Sequence, residues 1–335
     1  MSNIVAEPVN VEWRPSMPIY ASDAFLKSEG DRFGWVGGRD DQARLVCILP
    51  YILIEKRGLR MVRFCTATIP LSGELDLEEE RGFLSSVVEH FRATGADMII
   101  PSGNSAIFRT YPDGAAAAPY GTFIKDLIEP EEVLLSKIRQ TYRHNIRKAR
   151  AAGVHVKCGH QYLDECYELI AETLKRSGSN FKSPHDFRRR VTALGEHVKI
   201  FVAEQGGVVQ GCMVSPFSEH TAYNCWAGSR AEPVLGAMHL LHWEAIRHFR
   251  AMGVLRFDFQ GVRINPEKGS KQEGIRTYKQ GFGGALVQGY LWKFPLRRLP
   301  SIAYSLAVRL LMGGDIVDVE HRRARVGTTA AGSSC

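Results

Sequence analysis

The sequence lacks the patterns of an exported, membrane-spanning or metal-binding protein. Its seven cysteines are odd in number and include no Cys-x-x-Cys pair, so we expect neither a disulfide framework nor a zinc site. No apolar run approaches the ~20 residues that a transmembrane helix needs. Residues 1–18 have no basic-then-apolar run, so we expect no signal peptide. These absences predict a cytoplasmic protein without a bound metal.

Motifs of four large enzyme classes are also missing. There is no Walker motif, no Gly-x-Gly-x-x-Gly after a strand, no His-Glu-x-x-His and no Gly-x-Ser-x-Gly. Their absence argues against P-loop NTPases, dinucleotide-binding oxidoreductases, zinc metalloproteases and α/β-hydrolases. No serine or cysteine stands in the setting of an activated nucleophile, which argues against a covalent intermediate.

The composition is that of a folded protein with a basic excess. Hydrophobic residues make up 44% and charged residues 24% of the 335 residues, a length sufficient for two domains. The net charge of +7 favours anionic partners, namely nucleic acid, phosphorylated carriers or a membrane surface. A basic protein without a polyanionic partner stays open as an alternative.

The order of predicted elements indicates two α+β domains. Residues 1–128 contain neighbouring strands, an amphipathic helix and further strands. Residues 129–295 alternate helices with strands around a three-strand meander, which predicts a central mixed sheet flanked by helices. Residues 296–314 predict a helix that packs on the protein or lies on the inner face of a membrane. Residues 315–335 predict a disordered tail.

A basic stripe follows the helix predicted over residues 130–152. Its arginines are spaced four, four and three residues apart, and a lysine widens the positive face. The members are Arg139, Arg143, Arg147, Lys148 and Arg150. Such a face binds phosphates by bidentate contacts or counterion release, whereas a solvated face without a ligand is the alternative.

Two strands carry candidate substrate residues. In the strand over residues 255–260, alternation places Asp258 and Gln260 on one face and phenylalanines on the other. A partly desolvated Asp258 is able to orient or deprotonate an amine, and an ion pair with an arginine is the structural alternative. In the strand over residues 221–228, Tyr223 and Trp226 face opposite ways. Trp226 is able to stack on a base or sugar, although a tryptophan in a central strand more often belongs to the core.

The segment over residues 276–284 is the most informative part of the chain. Tyr278 and Lys279 lie near the end of a predicted helix, which Gly283 and Gly284 end by taking positive φ angles. Lys279 is thereby fixed on a defined turn. Such a turn is a suitable place for an ammonium that acts in catalysis or holds a phosphate.

The turn before the helix predicted over residues 236–252 indicates whether the chain could bind acetyl-CoA as an acyl donor. In acetyl-CoA-dependent transferases a turn of the pattern Gln/Arg-x-x-Gly-x-Gly/Ala offers backbone N–H groups to a pyrophosphate. This sequence retains only Gly236-Ala237. We therefore expect the pyrophosphate site of a CoA enzyme to be degraded or absent.

Several blocks make the second half resemble the Fem-type aminoacyltransferases. They are residues 141–150 with the following Gly-Val-His-Val, the run over residues 200–229, Asp258-Phe-Gln-Gly, and Tyr278-Lys-Gln-Gly-Phe-Gly-Gly. The first domain matches this family mainly in size and element content. The resemblance implies two GNAT-like (acyl-CoA N-acyltransferase-like) domains. It also implies transfer of an amino acid from aminoacyl-tRNA to an amine of a peptidoglycan or saccharide precursor.

The resemblance also implies roles for residues and partners. Lys279 would steady the oxyanion or a donor phosphate, Asp258 would be a catalytic strand-end carboxylate, and Trp226 would line the cleft. The further substrate-binding residues are Tyr223, Gln260 and Tyr278. No cofactor is expected beyond the aminoacyl-tRNA donor, and the acceptor would be a nucleotide- or lipid-linked envelope precursor.

Two other functions stay open from the sequence. One is an acyl-CoA- or carrier-dependent N-acyltransferase of the same fold, which Gly236-Ala237 at a helix start favours. The other is a non-catalytic protein that binds tRNA or another polyanion. Both functions are compatible with the predicted fold class, because one fold hosts many functions.

Overall fold

The computed structural model describes residues 4–71 and 73–331, which form two compact units. Unit 1 comprises the described residues up to Glu12, then Glu29–Gly121, and the described residues from Gln288 to 331. Unit 2 comprises Trp13–Ser28 and Thr122–Val287. The sequence predicts a first domain over residues 1–128 and a second over residues 129–295. The structure instead gives unit 2 a segment of the N-terminal region and gives unit 1 most of the last strand.

Both units are built from strands and helices that alternate along the chain. The strands are β1 (Val5–Val9), β2 (Arg32–Arg39), β3 (Leu45–Lys56), β4 (Leu59–Phe64), β5 (Ile69–Pro70), β6 (Met98–Ile99), β7 (Ala116–Asp126), β8 (His155–Cys158), β9 (Val198–Gln205), β10 (Val208–Pro216), β11 (Ala222–Tyr223), β12 (Trp226–Ser229), β13 (Arg256–Val262) and β14 (Ala285–Pro295). The helices are α1 (Asp23–Glu29), α2 (Leu77–Ala93), α3 (Glu131–Ser136), α4 (Gln140–Ala151), α5 (Leu163–Arg176), α6 (Pro184–Ala193), α7 (Ala237–Ala251), α8 (Lys271–Gln280), α9 (Arg298–Met312) and α10 (Ile316–Ala331).

Unit 1 is built on a mixed sheet in the order β1-β2-β3-β4-β6-β14, with β5 added to β3. Neighbouring strands are antiparallel except β4 and β6, which run parallel. Helix α2 begins with a capping box formed by Asp76 and Glu79, which satisfies backbone N–H groups of its first turn. Its apolar face, including Phe83, shares one core with Leu49 and Val62 of the sheet.

Helix α10 corrects the prediction of a disordered tail. The sequence predicts disorder from residue 315, but the structure has a helix over Ile316–Ala331; residues 332–335 lie outside the described ranges. Val317 is fully buried, and Lys293 of β14 pairs with Asp315 at 2.7 Å and with Asp318 at 2.6 Å. These contacts join distant parts of the chain, so local composition does not reveal them.

None of the helices within residues 4–71 and 73–331 combines the length and the apolar character that crossing a bilayer requires.

Unit 2 contains the strands that carry the candidate site. Strand β13 lies between β7 and the short parallel strand β11. A separate antiparallel sheet has the order β12-β10-β9-β8. Buried aromatic side chains from α7, β13 and the turn after α8, among them Trp243, Phe257 and Phe282, share one core.

Two elements predicted as continuous are interrupted in unit 2. The helix predicted over residues 130–152 is split into α3 and α4, and the backbone N–H of Arg139 between them donates to the Gly281 carbonyl at 2.8 Å. The strand predicted over residues 221–228 is split into β11, which pairs with β13, and β12, which pairs with β10. The chain therefore passes from one sheet to the other between Tyr223 and Trp226.

Candidate active site

Asp258, a buried carboxylate on β13, is the centre of the site. It is in register with Tyr223 of the neighbouring strand β11. Its Oδ1 atom accepts hydrogen bonds from Thr122 Oγ1 and, at 2.6 Å, from the backbone N–H of Gln260. Its Oδ2 atom has no donor among the described residues. One carboxylate oxygen is thus fixed by two hydrogen bonds, and the other accepts none from the described residues.

The environment of Asp258 makes it a stronger base than an exposed aspartate. Burial raises its pKa from 3.8 to about 6, against the opposing effects of the Thr122 and Gln260 hydrogen bonds and of Lys279. The carboxylate is ionised at neutral pH and still binds a proton readily. Such a pKa suits a general base. Across the described ranges Asp258 forms no salt bridge with an arginine, so the structural alternative raised by the sequence is not observed.

Gln260 links the carboxylate to the lysine. Its backbone N–H donates to Asp258, and its carbonyl accepts from Lys279 Nζ at 2.8 Å. Gln260 has φ of 61°, a conformation that residues other than glycine rarely adopt. Its side-chain Nε2 donates to the Tyr20 hydroxyl at 2.5 Å. Contacts on both sides therefore hold a strained backbone at the point where Asp258 and Lys279 meet, as is common at functional sites.

Lys279 lies near the end of α8 and directs its ammonium at the end of β13. Its Nζ donates to the carbonyls of Gln260 at 2.8 Å and Gly261 at 2.9 Å. An ammonium has three N–H donors, and the third has no acceptor within the described chain. Burial lowers the pKa of Lys279 from 10.5 to about 8, while the charge of Asp258 acts in the opposite direction. Lys279 is thus a cation at neutral pH with one donor free.

The two pKa values define the chemistry that the pair can perform. Between about pH 6 and about pH 8 both Asp258 and Lys279 are charged. In that window the Oδ2 atom is able to take a proton from an attacking amine. The free N–H of Lys279 is able to donate to an oxyanion formed at a carbonyl. A base and an oxyanion donor are therefore held together by one residue, Gln260.

Two buried tyrosines cover this part of unit 2. The rings of Tyr20 and Tyr223 lie with their centroids 4.4 Å apart. Burial raises the pKa of both phenols, so both are neutral at physiological pH. The sequence predicts Tyr223 as a substrate residue. The structure places it in register with Asp258 on the neighbouring strand.

A second polar network lies on α7. His242 Nδ1 is 2.8 Å from the Met238 carbonyl, so this nitrogen carries the proton and Nε2 accepts from Asn224 Nδ2 at 3.1 Å. Burial lowers the pKa of His242 to about 4, which keeps the ring neutral. The Tyr278 hydroxyl lies 3.2 Å from the Nδ1 atom. The network fixes Asn224, the residue at which the chain leaves β11.

Trp226 lies in a different setting from the other predicted substrate residues. It begins β12, and its ring contacts Phe187 with centroids 5.4 Å apart and the Lys182 ammonium at 4.5 Å. No contact joins it to Asp258 or Lys279 in the part of the chain that the structure describes. A role for Trp226 in substrate binding stays a prediction.

The basic stripe is only partly available to a ligand. Arg139 lies ahead of the first turn of α4 rather than on the helix, and Arg150 forms a salt bridge of 2.5 Å with a glutamate of α7. Arg143 is partly buried. Arg147 and Lys148 are exposed and have no carboxylate partner within the described ranges. The helix break, the salt bridge of Arg150 and the partial burial of Arg143 together reduce a predicted stripe of five cations to Arg147 and Lys148 on α4.

The loop before α7 makes two close contacts with neighbouring segments. The backbone N–H of Val234 donates to Gln210 Oε1 at 3.2 Å, so it is not free for a pyrophosphate. Gly236 has φ of 86°, and a Cβ atom built on it would lie 2.1 Å from the Asn145 carbonyl oxygen. The start of α7 is therefore packed against the backbone of α4.

The sequence predicts no metal ligands, and the described residues contain no group of three or more His, Cys, Asp or Glu side chains arranged to hold a metal ion.

Three residues of the candidate site are not predicted by any sequence pattern. Tyr20 is separated from Gln260 by 240 positions, and Thr122 from Asp258 by 136, so no local spacing connects them. His242 lies within an apolar helix and carries no motif. Only long-range folding brings these side chains to β13 and α7.

Comparisons with known proteins place the fold. Residues 136–280 match the family model for the acetyltransferase (GNAT) domain. The crystal structure of FemX has a TM-score of 0.64 at 13% identity, covering 90% of this chain and 99% of that chain. The C-terminal domain of a protein from Agrobacterium fabrum assigned as a lysylphosphatidylglycerol synthetase has a TM-score of 0.50 at 16% identity, covering 81% and 87%. Among curated proteins there is no significant match to the chain.

These comparisons confirm the predicted fold class. The chain has the α+β fold seen in FemX along most of its length, and residues 136–280 match the acetyltransferase (GNAT) domain. The resemblance to Fem-type proteins is thereby confirmed at the level of fold. The domain match also confirms the prediction of a transferase.

Proposed function

We propose that this protein, whose residues 136–280 match the acetyltransferase (GNAT) domain, is an acyltransferase that moves an aminoacyl group from aminoacyl-tRNA to an amine of a cell-envelope precursor. The observation that carries the proposal is the pair of free groups held by Gln260. These are the Oδ2 atom of Asp258 and the third N–H of Lys279.

The reaction needs little beyond these two groups. Asp258 Oδ2 takes one proton from the acceptor ammonium, and the neutral amine attacks the carbonyl carbon of the ester. The free N–H of Lys279 donates to the oxyanion. When the tetrahedral intermediate collapses, the carbon–oxygen bond to the tRNA ribose breaks and the leaving oxygen takes the second amine proton. An amide and a free tRNA hydroxyl result, and Asp258 releases its proton to solvent.

Two observations support tRNA rather than CoA as the donor. In the loop before α7, where a CoA enzyme would cradle a pyrophosphate, the Val234 N–H is taken by Gln210 and Gly236 packs against the Asn145 carbonyl. Arg147 and Lys148 offer exposed cations on α4 for phosphates of a nucleic acid.

Acyl-CoA-dependent N-acyl transfer is the second candidate. The matched family is described as an acetyltransferase, and this description favours it. Asp258 and Lys279 would serve an acyl thioester as well as an ester, because the same amine attack forms the same kind of oxyanion.

The two donors are distinguished by one assay. Purified protein is incubated with an extract of envelope precursors and either labelled aminoacyl-tRNA or labelled acyl-CoA, with and without RNase. We expect label to reach an acceptor only from aminoacyl-tRNA, in an RNase-sensitive manner. Transfer from acyl-CoA that is competed by free CoA and insensitive to RNase would replace the proposal by the second candidate. The Lys279→Met variant is the control that ties transfer to this site.

A further inference from the structure

Helix α9 of unit 1 exposes an apolar stripe that the transfer reaction does not use. The exposed fractions are 79% for Leu299, 56% for Ile302, 56% for Leu306 and 77% for Leu310. Their spacing of three, four and four residues places them on one face of the helix. Ser301 is buried on the far side. A contiguous apolar stripe of this kind marks an interaction surface, unlike leucines scattered singly.

A groove runs beside the stripe. It has a volume of about 690 Å³ and is lined by residues of α9 and α10. Ile302 and Leu306 belong both to the stripe and to the groove. Arg298, Arg309 and Arg322 also line it, so apolar and cationic groups share one surface.

The positive charge along α9 is not balanced by nearby carboxylates. Arg298 and Arg309 are exposed and form no salt bridge with any described residue. The helix itself contains no Asp or Glu. The one carboxylate that lines the groove, Asp318, is paired with Lys293 at 2.6 Å. Two unpaired arginines near opposite ends of the helix thus flank the apolar stripe.

We propose that α9 docks unit 1 on the surface of a bilayer that contains anionic phospholipid. The apolar stripe lies at the boundary of headgroups and acyl chains, and Arg298 and Arg309 contact lipid phosphates. A helix of 15 residues is about 22 Å long, shorter than the ~30 Å hydrocarbon core, so it lies in the plane of the surface. The proposal is independent of the donor used in the transfer reaction.

Charge complementarity favours this occupant over a second copy of the chain. In a symmetric dimer through α9 the same patch would meet itself, and the unpaired arginines of both copies would approach each other. Anionic lipid supplies opposite charge and apolar surface together.

The test is co-sedimentation of the full chain with lipid vesicles. Phosphatidylcholine vesicles with and without phosphatidylglycerol are compared at low and high salt. We expect binding only to the anionic vesicles and weaker binding at high salt. The variant Leu299→Glu/Leu310→Glu should bind at least about tenfold more weakly, because it places charge where apolar contact is needed. Arg298→Gln and Arg309→Gln should each weaken binding about fivefold.

Matched controls keep the test specific. Ile128→Glu changes a residue with 70% exposure on unit 2, and Lys56→Gln removes an exposed charge from the end of β3; both should bind like the unchanged protein. Absence of binding to anionic vesicles at low salt, or equal binding by the α9 variants, overturns the proposal. Analytical ultracentrifugation without lipid tests the remaining possibility, which is self-association of the chain through α9. A dimer that Leu299→Glu/Leu310→Glu dissociates would make α9 a contact between copies and refute the lipid assignment.

Discussion

Replacing Asp258 by asparagine should make the protein more stable and nearly inactive. The pKa of Asp258 is raised from 3.8 to about 6, so the folded state binds more protons than the unfolded state between these values. Stability contributed by this group is present below pH 3.8 and lost as the pH rises through about 6. At 1.36 kcal/mol per pH unit, the ionised carboxylate costs the folded state about 3 kcal/mol at pH 7.5.

Asparagine removes this cost without breaking the local contacts. Both hydrogen bonds to Asp258 are accepted by Oδ1, and an asparagine Oδ1 accepts them equally. We therefore expect Asp258→Asn to raise the free energy of unfolding by up to about 3 kcal/mol at pH 7.5 and by much less near pH 4. Transfer should fall by about 10²-fold or more, since a general base is lost.

Urea denaturation followed by tryptophan fluorescence at both pH values measures the effect. Asp126→Asn, which changes an exposed aspartate of β7, is the control and should alter stability by less than about 0.5 kcal/mol. A lower stability of Asp258→Asn at pH 7.5 would show that the carboxylate is a structural partner. That result would refute its assignment as a base held at an energetic cost.

Three further predictions concern the lysine, the start of α7 and the exposed cations of α4. Lys279→Met should lower the transfer rate by about 10²-fold or more while circular dichroism stays unchanged; a rate near that of the unchanged protein would remove its oxyanion role. Gly236→Ala should destabilise the protein by several kcal/mol, because its φ of 86° and the Asn145 carbonyl 2.1 Å from the added Cβ both oppose a side chain. Gly153→Ala, with φ of 79° and open space, should cost only about 1 kcal/mol, and equal thermal shifts for both variants would contradict the packing described. Arg147→Glu/Lys148→Glu should abolish salt-dependent binding of tRNA in a filter assay, and unchanged binding would place the nucleic acid elsewhere.

The parts of the site that lie within one element are predictable from the sequence. The sequence predicts Asp258 and Gln260 on one strand and Lys279 at a helix end before Gly283, and the structure has them on β13 and near the end of α8. In the structure Gly283 has φ of 75°, and an added Cβ would lie 2.3 Å from the Lys137 carbonyl oxygen. Glycine is therefore favoured at position 283 for a second reason: the chain between α3 and α4 packs closely against it.

Other features depend on contacts that no local pattern encodes. No proline accounts for the break after α3. The helix is interrupted at Arg139, whose backbone N–H donates to the Gly281 carbonyl. Tyr20 reaches Gln260 from a segment that belongs to unit 2 although it lies near the start of the chain. Helix α10 is fixed by Lys293, which lies 22 positions before its partner Asp315. In each case a long-range hydrogen bond or ion pair decides the structure.

The central claim is that Asp258 acts as a base and Lys279 as an oxyanion donor. The most direct test is the pH dependence of single-turnover transfer, corrected for spontaneous ester hydrolysis in enzyme-free reactions. We predict a bell-shaped profile that falls below about pH 6, where Asp258 is protonated, and above about pH 8, where Lys279 loses its charge. Asp258→Asn should remove the acid limb and Lys279→Met the alkaline limb. A profile that is flat from about pH 5 to about pH 9, or limbs that persist in both variants, would contradict the account.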